Sequence, residues 1–194
     1  EENNNDTVNL IYDIELGNKA KISRIEFVGN KVFKNKKLRN LIVSEENKFW
    51  KFISKKKYLN KDQVARDERL LKNYYLNRGY YDVIINASSA QYSSNDLFTL
   101  TFNIDAGKIY KINKTKLTLP IDYKKTNFVK VEKLLSKLES EPYSFRKISK
   151  IVDQIDKISL LREYDFISAS ISEEKIEDNK INLNIEITET EKLY

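Results

Sequence analysis

The sequence predicts an α+β protein made of two consecutive copies of a β-α-α-β-β unit. Three observations lead to this prediction. Apolar and polar residues alternate in several short stretches, as in half-buried strands, and between them apolar residues recur at the spacing of a helix face. The same order of strands and helices then occurs a second time, which is typical of a modular array. With 194 residues, the chain has room for two small domains.

An isolated strand is predicted ahead of the first copy. In residues 8–16 apolar side chains stand at every second position, with Asn9, Asp13 and Glu15 between them, and Gly17 follows. This pattern indicates a strand with one buried face. No sheet of its own can be assigned to it. We therefore expect residues 1–19 to hold the terminal strand of a truncated preceding unit.

The first copy opens with a strand at residues 22–28 and two helices. The strand closes at Gly29-Asn30, where glycine can take a positive φ without steric cost. Apolar residues at helical spacing define two helix faces, Leu38, Leu41 and Ile42 on the first and Val64, Leu71, Tyr74 and Tyr75 on the second. We expect Gly79 to end the second helix in the left-handed conformation.

Two further strands complete the first copy. They are predicted at residues 83–92 and 97–104, joined by a polar turn. The inward face of the second strand carries Leu100, Phe102 and Ile104. Gly107 follows immediately, so we place this domain at residues 20–108.

The second copy, at residues 109–194, has the same order of elements. Strands are predicted at 109–119, 164–172 and 181–187, and the last two flank a turn at Asp178-Asn179. The apolar faces of its two helices are Val131, Leu134, Leu135 and Leu138, then Ile148, Ile151, Val152, Ile155 and Ile158.

An offset of 86 residues aligns the second helices of the two copies. It pairs Asp67 with Asp153, Tyr75 with Leu161, Gly79 with Asp165 and Tyr80 with Phe166. Because aspartate tolerates the left-handed conformation better than most residues, Asp165 can take the helix-ending position of Gly79. The charged residues Glu68, Arg69 and Arg78 of the second helix are expected to form a solvated face.

Composition argues against an enzyme. The chain has no cysteine and no histidine, which removes thiolate metal sites, the best nucleophile and the usual proton shuttle near neutral pH. Asp67 and Asp153 cannot form a catalytic pair because they lie in different copies, so a hydrogen-bonding or salt-bridge role is expected for them. We therefore predict a non-catalytic protein with no metal and no cofactor.

A basic and aromatic cluster lies between the two helices of the first copy. Phe49, Trp50 and Phe52 stand beside Lys51 and the three lysines at 55–57. Such a cluster can stack on single-stranded nucleic acid or rest on a membrane surface. Stacking platforms usually present their rings from strands, however, and this cluster lies in a connection. We therefore expect the rings to cover the core and the lysines to be solvated.

The first copy resembles a known repeat. The segments IEFVGNKVF (residues 25–33), KFWKF (48–52) and KYLNKDQVARDERLLKNYYLNRGYYD (57–82) are similar to the third POTRA repeat of the BamA family of bacterial outer-membrane assembly factors. Within them, the pattern D-x-x-x-L-x-x-Y-Y-L-x-x-G-Y is specific in both spacing and residue type. The second copy is similar to the fourth repeat in length and strand pattern, although it lacks the Gly-Asn turn and the helix-ending glycine.

The resemblance implies, in each copy, a three-stranded mixed sheet packed against two helices, with the last strand in the middle. The strand after the second helix then has a free edge. The resemblance also implies a periplasmic location, as part of an outer-membrane protein of a Gram-negative bacterium. The implied partners are unfolded outer-membrane proteins, a lipoprotein of the BamB type at the first copy, and the protein's own C-terminal membrane β-barrel.

The free edge at residues 83–92 is the predicted partner-binding site. Its unpaired N–H and C=O groups can accept extended chains of different sequence, which suits varied clients. The residues expected to contact partners are Val83, Ile84, Ile85, Asn86, Ala87, Ser88, Ala90 and Tyr92. The edge at 167–172 is a weaker candidate. Gly107, Lys108 and Ile109 join the copies almost directly and are the predicted interdomain hinge, with a limited range of angles.

Two other functions are compatible with the sequence. Related POTRA arrays act in two-partner secretion and organelle import, although the helix that ends at Gly79-Tyr80 favours the BamA type. The net charge of +6 also allows a nucleic-acid-binding module. The chain lacks a G-x-x-G clamp, an aromatic strand motif and a dense basic face, so we expect no nucleic acid among its partners.

Overall fold

The structure, a computed structural model, describes residues 2–3, 7–8, 20–51, 53–93, 96–162 and 167–189. Near its start, β1 (Glu2–Asn3) and β2 (Thr7–Val8) form a short antiparallel pair. The strand predicted at 8–16 lies outside the described residues except for Val8, and its assignment to a preceding unit stays a prediction. No helix in the described ranges is long and apolar enough to cross a membrane.

The first unit consists of β3 (Lys21–Val28), α1 (Asn35–Arg39), α2 (Lys61–Leu76), β4 (Ile84–Ser93) and β5 (Leu97–Asp105). The strand order is β3-β5-β4, with β3 parallel and β4 antiparallel to β5. The predicted mixed sheet with the last strand in the middle is confirmed. The first helix ends before Leu41 and Ile42, which still pack partly buried against the core.

The second unit consists of β6 (Lys111–Thr118), α3 (Val129–Ser136), α4 (Phe145–Arg162), β7 (Ile167–Ile176) and β8 (Lys180–Glu189). Its strand order, β6-β8-β7, repeats the arrangement of the first. Asp178 and Asn179 both have positive φ and form the predicted turn between β7 and β8. The α+β fold with two β-α-α-β-β units is therefore confirmed.

Each sheet packs one face against the helices of its own unit and encloses its own core. The most deeply buried side chains of the first core are Ile22, Ile25, Leu38, Leu71, Tyr75, Leu100 and Phe102. Those of the second are Phe128, Val131, Ile155, Ile181, Leu183 and Ile185. Removal of this apolar surface from water, at roughly 25 cal/mol per Å², is the main stabilising contribution in each unit.

Glycine is needed at two element ends. Gly29, after β3, has φ +74°, and a Cβ there would lie 2.6 Å from the carbonyl oxygen of Ile104. Gly79, after α2, has φ +91°. Both conformations agree with the prediction from sequence, since other residues rarely adopt them. Asp165, the expected counterpart of Gly79, lies outside the described residues.

The alignment of the second helices by 86 residues is wrong. Tyr75 is fully buried whereas Leu161 is 80% exposed, and Asp67 is buried whereas Asp153 is exposed. An offset of 84 aligns Asp67 with Ile151 and Leu71 with Ile155, all four of them buried, and places the buried Tyr75 at the position of Ser159, which is partly buried. The error has a physical cause, because a carboxylate occupies a core position of α2 and interrupts its apolar periodicity.

The same offset of 84 aligns β4 with β7. Ile85 pairs with the core residue Ile104 of the central strand, and Ala169 pairs with the core residue Ile187. Ile85 and Ala169 are therefore equivalent. One offset thus relates the second helix and the edge strand that follows it in both units, which allows a position-by-position comparison of the two edges.

Candidate functional site

The outer rim of β3 is closed by the connection between the two helices. Asn47 donates its N–H to the carbonyl oxygen of Ile22 at 2.7 Å. The carboxylate of Glu46 accepts the N–H of Ile25 at 3.2 Å, and the guanidinium of Arg39 donates to the carbonyl oxygen of Ile25 at 2.8 Å. The outward main-chain groups of Ile22 and Ile25 are therefore occupied by the protein itself.

The outer rim of β6 is closed in the same way. Ser140 donates its N–H to the carbonyl oxygen of Ile112 at 2.7 Å, and Ile112 donates to the carbonyl oxygen of Glu141 at 2.9 Å. The carboxylate of Glu139 accepts the N–H of Thr115 at 2.9 Å. In both units, the strand that pairs in parallel with the central strand is thus protected against further pairing.

The outer rim of β4 is different. This strand pairs with β5 on one side, and no other described strand pairs with it. The Ala87 N–H points away from β5 and donates to a side chain of α2. Because N–H groups alternate in direction along a strand, the outward-facing set is Ile85, Ala87 and Ser89. Asn86 and Ser88, by the same alternation, direct their main chain toward β5.

Glu68 partly occupies this rim. Its carboxylate oxygen lies 2.6 Å from the N of Ala87, a hydrogen bond between a charged acceptor and an edge amide. The expectation that Glu68 belongs to a solvated face is therefore wrong. The residue is half-buried between α2 and the edge strand. A chain that adds to β4 must replace this carboxylate with one of its own carbonyl oxygens.

A groove of about 270 Å³ runs between α2 and β4 beside the rim. Its walls are mostly apolar with a charged residue of each sign, and consist of Leu59, Lys61, Val64, Ala65, Glu68, Ala87, Ser88, Ser89 and Leu100. An extended chain on β4 would direct alternate side chains into this groove. Main-chain pairing and side-chain burial are thus available at the same place.

The predicted contact residues of β4 divide by face. Ile84, Asn86 and Ser88 are exposed, with Ile84 56% exposed. Ile85 and Ala87 pack partly buried against the core. The side chains of the first three residues are therefore open to solvent, whereas Ile85 and Ala87 face outward mainly with their main chain, where Glu68 already accepts the Ala87 N–H.

The three remaining predicted contact residues are Val83, Ala90 and Tyr92. Val83 precedes β4 and is only 4% exposed, so its side chain belongs to the core and the expectation of a partner contact there is wrong. Ala90 and Tyr92 belong to β4 by their main chain, while their side chains lie outside the described structure.

The edge of β7 lacks the carboxylate found at β4. With the offset of 84, Val152 takes the position of Glu68 and Ile171 takes that of Ala87. Ile171 is 41% exposed. The second unit thus has an edge strand of the same topology, and the α4 residue at the position of Glu68, Val152, has no polar group with which to cap it.

The predicted hinge lies at a close contact between the two units. Gly107 has φ +63°, Lys108 is exposed, and Ile109 is 46% exposed. Tyr110 donates its N–H to the carbonyl oxygen of Gly79 at 2.7 Å. A Cβ at Gly79 would lie 2.8 Å from the Ile109 side chain, so this close approach of the two units also requires glycine.

An ion pair links the two units at this contact. The Lys175 ammonium forms an ion pair with Asp82, and the Tyr110 hydroxyl donates to the same carboxylate at 2.6 Å. These hydrogen bonds, the one from Lys175 first, hold the pKa of Asp82 below its usual range. The ammonium also lies 5.4 Å from the ring centroid of Tyr81 and 5.5 Å from that of Tyr110, within cation–π range.

A second carboxylate is shared by two tyrosines. The hydroxyls of Tyr81 and Tyr143 each donate to Glu173 at 2.8 Å. Burial, followed by the hydrogen bond to Glu173, raises the pKa of Tyr81 to about 12. Asn77 caps the start of α4 by accepting the N–H of Arg146 at 2.7 Å. We call these residues the junction contact: Asn77, Tyr81, Asp82, Tyr110, Tyr143, Glu173 and Lys175.

The junction contact was missed from the sequence. Its two carboxylates, Asp82 and Glu173, lie 91 positions apart, and no local sequence motif at either residue predicts its partners. The only available signal is the density of tyrosines at the joint, at positions 80, 81 and 110. Buried tyrosines normally find a partner for the hydroxyl, which would have suggested polar partners nearby.

The basic and aromatic cluster is not part of the core. Phe49 is 88% exposed and Trp50 is 60% exposed, so the expectation that these rings cover the core is wrong. Phe52 lies outside the described residues, as does the side chain of Lys51. Lys55 and Lys56 are exposed, as expected, whereas Lys57 is only 7% exposed, so the expectation that it is solvated is wrong.

Comparison with known proteins agrees with the predicted resemblance. The POTRA family, described as a surface antigen variable number repeat, matches residues 20–107. The outer membrane protein assembly factor BamA of Neisseria meningitidis is 32% identical over 75 residues, which cover 39% of this chain and 9% of that protein. BamA of Buchnera aphidicola is 29% identical over 111 residues, or 56% of this chain and 18% of that protein. The chain thus spans less than a fifth of either relative.

Among solved structures, Haemophilus influenzae BamA POTRA3-5 superposes with a TM-score of 0.64 at 17% identity. The superposition covers 88% of this chain and 66% of that one. At this identity the match shows the fold alone, and it extends over both units. Together these matches confirm the resemblance to POTRA repeats of the BamA type.

Proposed function

We propose that this chain, whose residues 20–107 belong to the POTRA family, is a periplasmic scaffold in the assembly of outer-membrane proteins. On this proposal, unfolded outer-membrane proteins bind to it as extended segments along the outer rim of β4. The observation that carries the proposal is the contrast between rims. At the β3 rim the outward main-chain groups of Ile22 and Ile25 are occupied by the protein's own chain, whereas the β4 rim directs the main chain of Ile85 and Ser89 outward.

The strength of such capture follows from the number of hydrogen bonds. Each adds a net ~0.5 to 1.5 kcal/mol. About four to six of them, less the cost of ordering the client chain, give weak and reversible binding. Displacement of Glu68 from the Ala87 N–H subtracts further from the total. Weak capture suits a scaffold that must release its clients, and main-chain recognition suits clients of different sequence.

The other partners follow from the same assignment. A lipoprotein of the BamB type docks on the first unit at the exposed side chains of Ile84, Asn86 and Ser88. The units extend over residues 20–108 and 109–194 and precede a membrane β-barrel in the same protein. The role is that of a binding scaffold and involves no catalytic step. The relatives named above, which are outer membrane protein assembly factors, support this assignment.

The test uses backbone methylation of the client. A fluorescently labelled peptide with the alternating sequence of an outer-membrane strand is titrated into the protein and followed by anisotropy. Two matched peptides carry N-methyl groups on alternate backbone nitrogens, one set on each edge of the extended peptide. We expect methylation of one edge to abolish binding and methylation of the other to leave it nearly unchanged, because only one edge pairs with β4.

Two results would overturn the proposal. Equal binding of all three peptides would mean that side chains alone are recognised. If both methylated peptides lost binding to the same extent, the peptide would not bind as an added strand. Circular dichroism of the two methylated peptides provides the control that both stay equally unstructured when free.

A further inference from the structure

The connection between α1 and α2 presents an apolar and basic surface that the proposed function does not use. Phe49, Trp50 and Ile53 are 88%, 60% and 81% exposed. Lys55 and Lys56, immediately beyond them, are also exposed. We propose that these five residues, called here the 49–56 surface, bind the headgroup region of an anionic phospholipid membrane.

The exposure is particular to the first unit. Apolar side chains that stay in water at one place usually mark an interaction surface. The corresponding connection of the second unit buries its two large apolar side chains, with Leu138 7% and Tyr143 3% exposed. The fold therefore does not force apolar residues outward at this point. In the first unit the connection is long enough to close the β3 rim and still project three large apolar side chains beyond it.

The composition of the surface matches the membrane interface. Tryptophan and phenylalanine are suited to the headgroup level, where a ring can lie partly in hydrocarbon and partly in water. An aliphatic side chain such as Ile53 adds buried area on insertion. Lysines at the border attract anionic headgroups, with about 1 kcal/mol for each one near the surface. The nearby carboxylate of Glu46 is already paired, at 3.3 Å from Arg39 and 3.8 Å from Lys48.

The ring geometry favours a membrane over single-stranded nucleic acid. Phe49 and Trp50 meet edge to face, with centroids 4.6 Å apart and an interplanar angle of 85°. The Lys48 ammonium lies 5.6 Å from the Trp50 ring centroid. Base stacking needs a free ring face. Here the two rings engage each other and a lysine covers one of them, whereas insertion into a headgroup layer requires no free face.

The test exploits a convenient property of the chain. Trp50 is its only tryptophan, so intrinsic fluorescence reports on this surface alone. The protein is mixed with vesicles of phosphatidylcholine, or of phosphatidylcholine with phosphatidylglycerol, and binding is measured from the emission shift and by co-sedimentation. We expect a blue shift and co-sedimentation with the phosphatidylglycerol vesicles, both weakened by added salt.

Variants separate the two contributions. The neutralised pair K55A/K56A should bind the anionic vesicles roughly thirtyfold more weakly, from about 1 kcal/mol for each lysine. The pair F49S/I53S should bind about tenfold more weakly, because less apolar area enters the headgroup layer. Ile121→Ser is the matched control. Ile121 is fully exposed in the second unit, and its removal should leave binding unchanged.

Three results would overturn this inference. One is the absence of an emission shift with anionic vesicles. Another is equal loss of binding in the Ile121→Ser control and in F49S/I53S, which would indicate nonspecific adsorption. The third is a Trp50 shift produced by a single-stranded oligonucleotide and not by vesicles. All the substituted side chains are exposed, so unchanged circular dichroism and melting temperature should accompany every variant.

Discussion

The first unit uses carboxylates from α2 at the two positions where the second unit uses aliphatic side chains from α4. Asp67 corresponds to Ile151, and Glu68 corresponds to Val152. Asp67 is fully buried and accepts the N–H groups of Val43, at 2.5 Å, and of Ser44, at 3.1 Å. One topology can therefore hold its helix connection either by charge-assisted hydrogen bonds or by apolar packing.

The length of the connection explains the difference. Residues 40–60 link the helices of the first unit, whereas residues 137–144 suffice in the second. The long connection has more main-chain groups that must find partners. Asp67 supplies an acceptor for two of them. The same long connection closes the β3 rim and carries the exposed rings of the 49–56 surface.

The largest effect is expected from removal of the buried carboxylate. Asp67→Ala leaves the N–H groups of Val43 and Ser44 without their charged acceptor. It should lower the free energy of unfolding by about 3 kcal/mol. The exposed Asp153, in α4 of the second unit, is the matched control, and Asp153→Ala should change stability by less than about 0.5 kcal/mol. Urea denaturation measures both values, and equal losses would show that the buried carboxylate of Asp67 stabilises the first unit no more than the exposed carboxylate of Asp153 stabilises the second.

The next effect concerns the contact between the units. Gly79→Ala should cost about 2 kcal/mol, because the residue has φ +91° and its Cβ would meet Ile109 at 2.8 Å and the Tyr110 carbonyl oxygen at 3.2 Å. Gly107→Ala shares the positive φ but meets no atom closer than 3.6 Å, so it should cost only about 1 kcal/mol. The difference in unfolding free energy between the two variants therefore measures the cost of the close contact between Gly79 and the second unit. A larger loss of stability in Gly107→Ala than in Gly79→Ala would contradict the close contact between the units at Gly79.

A smaller effect is expected at the open rim. Glu68→Ala removes the internal acceptor of the Ala87 N–H, so an added strand no longer has to displace it. The affinity for an extended peptide should rise about fivefold, or about 1 kcal/mol. Asp62→Ala, an exposed carboxylate at the start of the same helix, controls for the change in charge. Unchanged affinity in Glu68→Ala, measured by anisotropy, would show that the carboxylate does not compete.

The smallest effect is the pH dependence of the joint. The pKa of Asp82 is below its usual range in the folded protein, so its ion pair with Lys175 stabilises the folded state above the unfolded pKa of about 3.9. This contribution is lost as the pH falls through the lowered folded value. It should be no more than about 0.5 kcal/mol, because both side chains are over a third exposed.

The variant Asp82→Asn tests this contribution. Its unfolding free energy should be below that of the unsubstituted protein at neutral pH, and the difference should vanish in acid. A difference that grows in acid would contradict the sign. Solution scattering of the same pair bears on the predicted hinge at Gly107, Lys108 and Ile109. We expect a single conformer while the junction contact is intact and a broader distribution in the variant.

Part of the architecture was predictable because local rules govern it. Alternating apolar residues located the strands, and Gly29 was identified by the positive φ that its turn needs. The edge position of β4 followed from the resemblance, since strand order is a property of the whole unit and leaves no local pattern.

The rest depends on contacts between distant residues. The bond from Ala87 to Glu68 spans 19 positions, and the one from Tyr81 to Glu173 spans 92. No spacing rule reaches that far. Asp67 was placed on the correct helix with a hydrogen-bonding role, but burial of a carboxylate runs against the apolar pattern used to align the helices. The exposure of Phe49 and Trp50 was not predicted either, because large aromatic side chains are usually buried.

Hydrogen exchange at single amides of β4 shows whether an added peptide pairs with the outer rim of this strand. With a saturating extended peptide, exchange should slow at Ile85 and Ser89, whose N–H groups face outward, and stay unchanged at Asn86 and Ser88, which already pair with β5. Protection that appears elsewhere in the protein while Ile85 and Ser89 exchange as before would contradict the account.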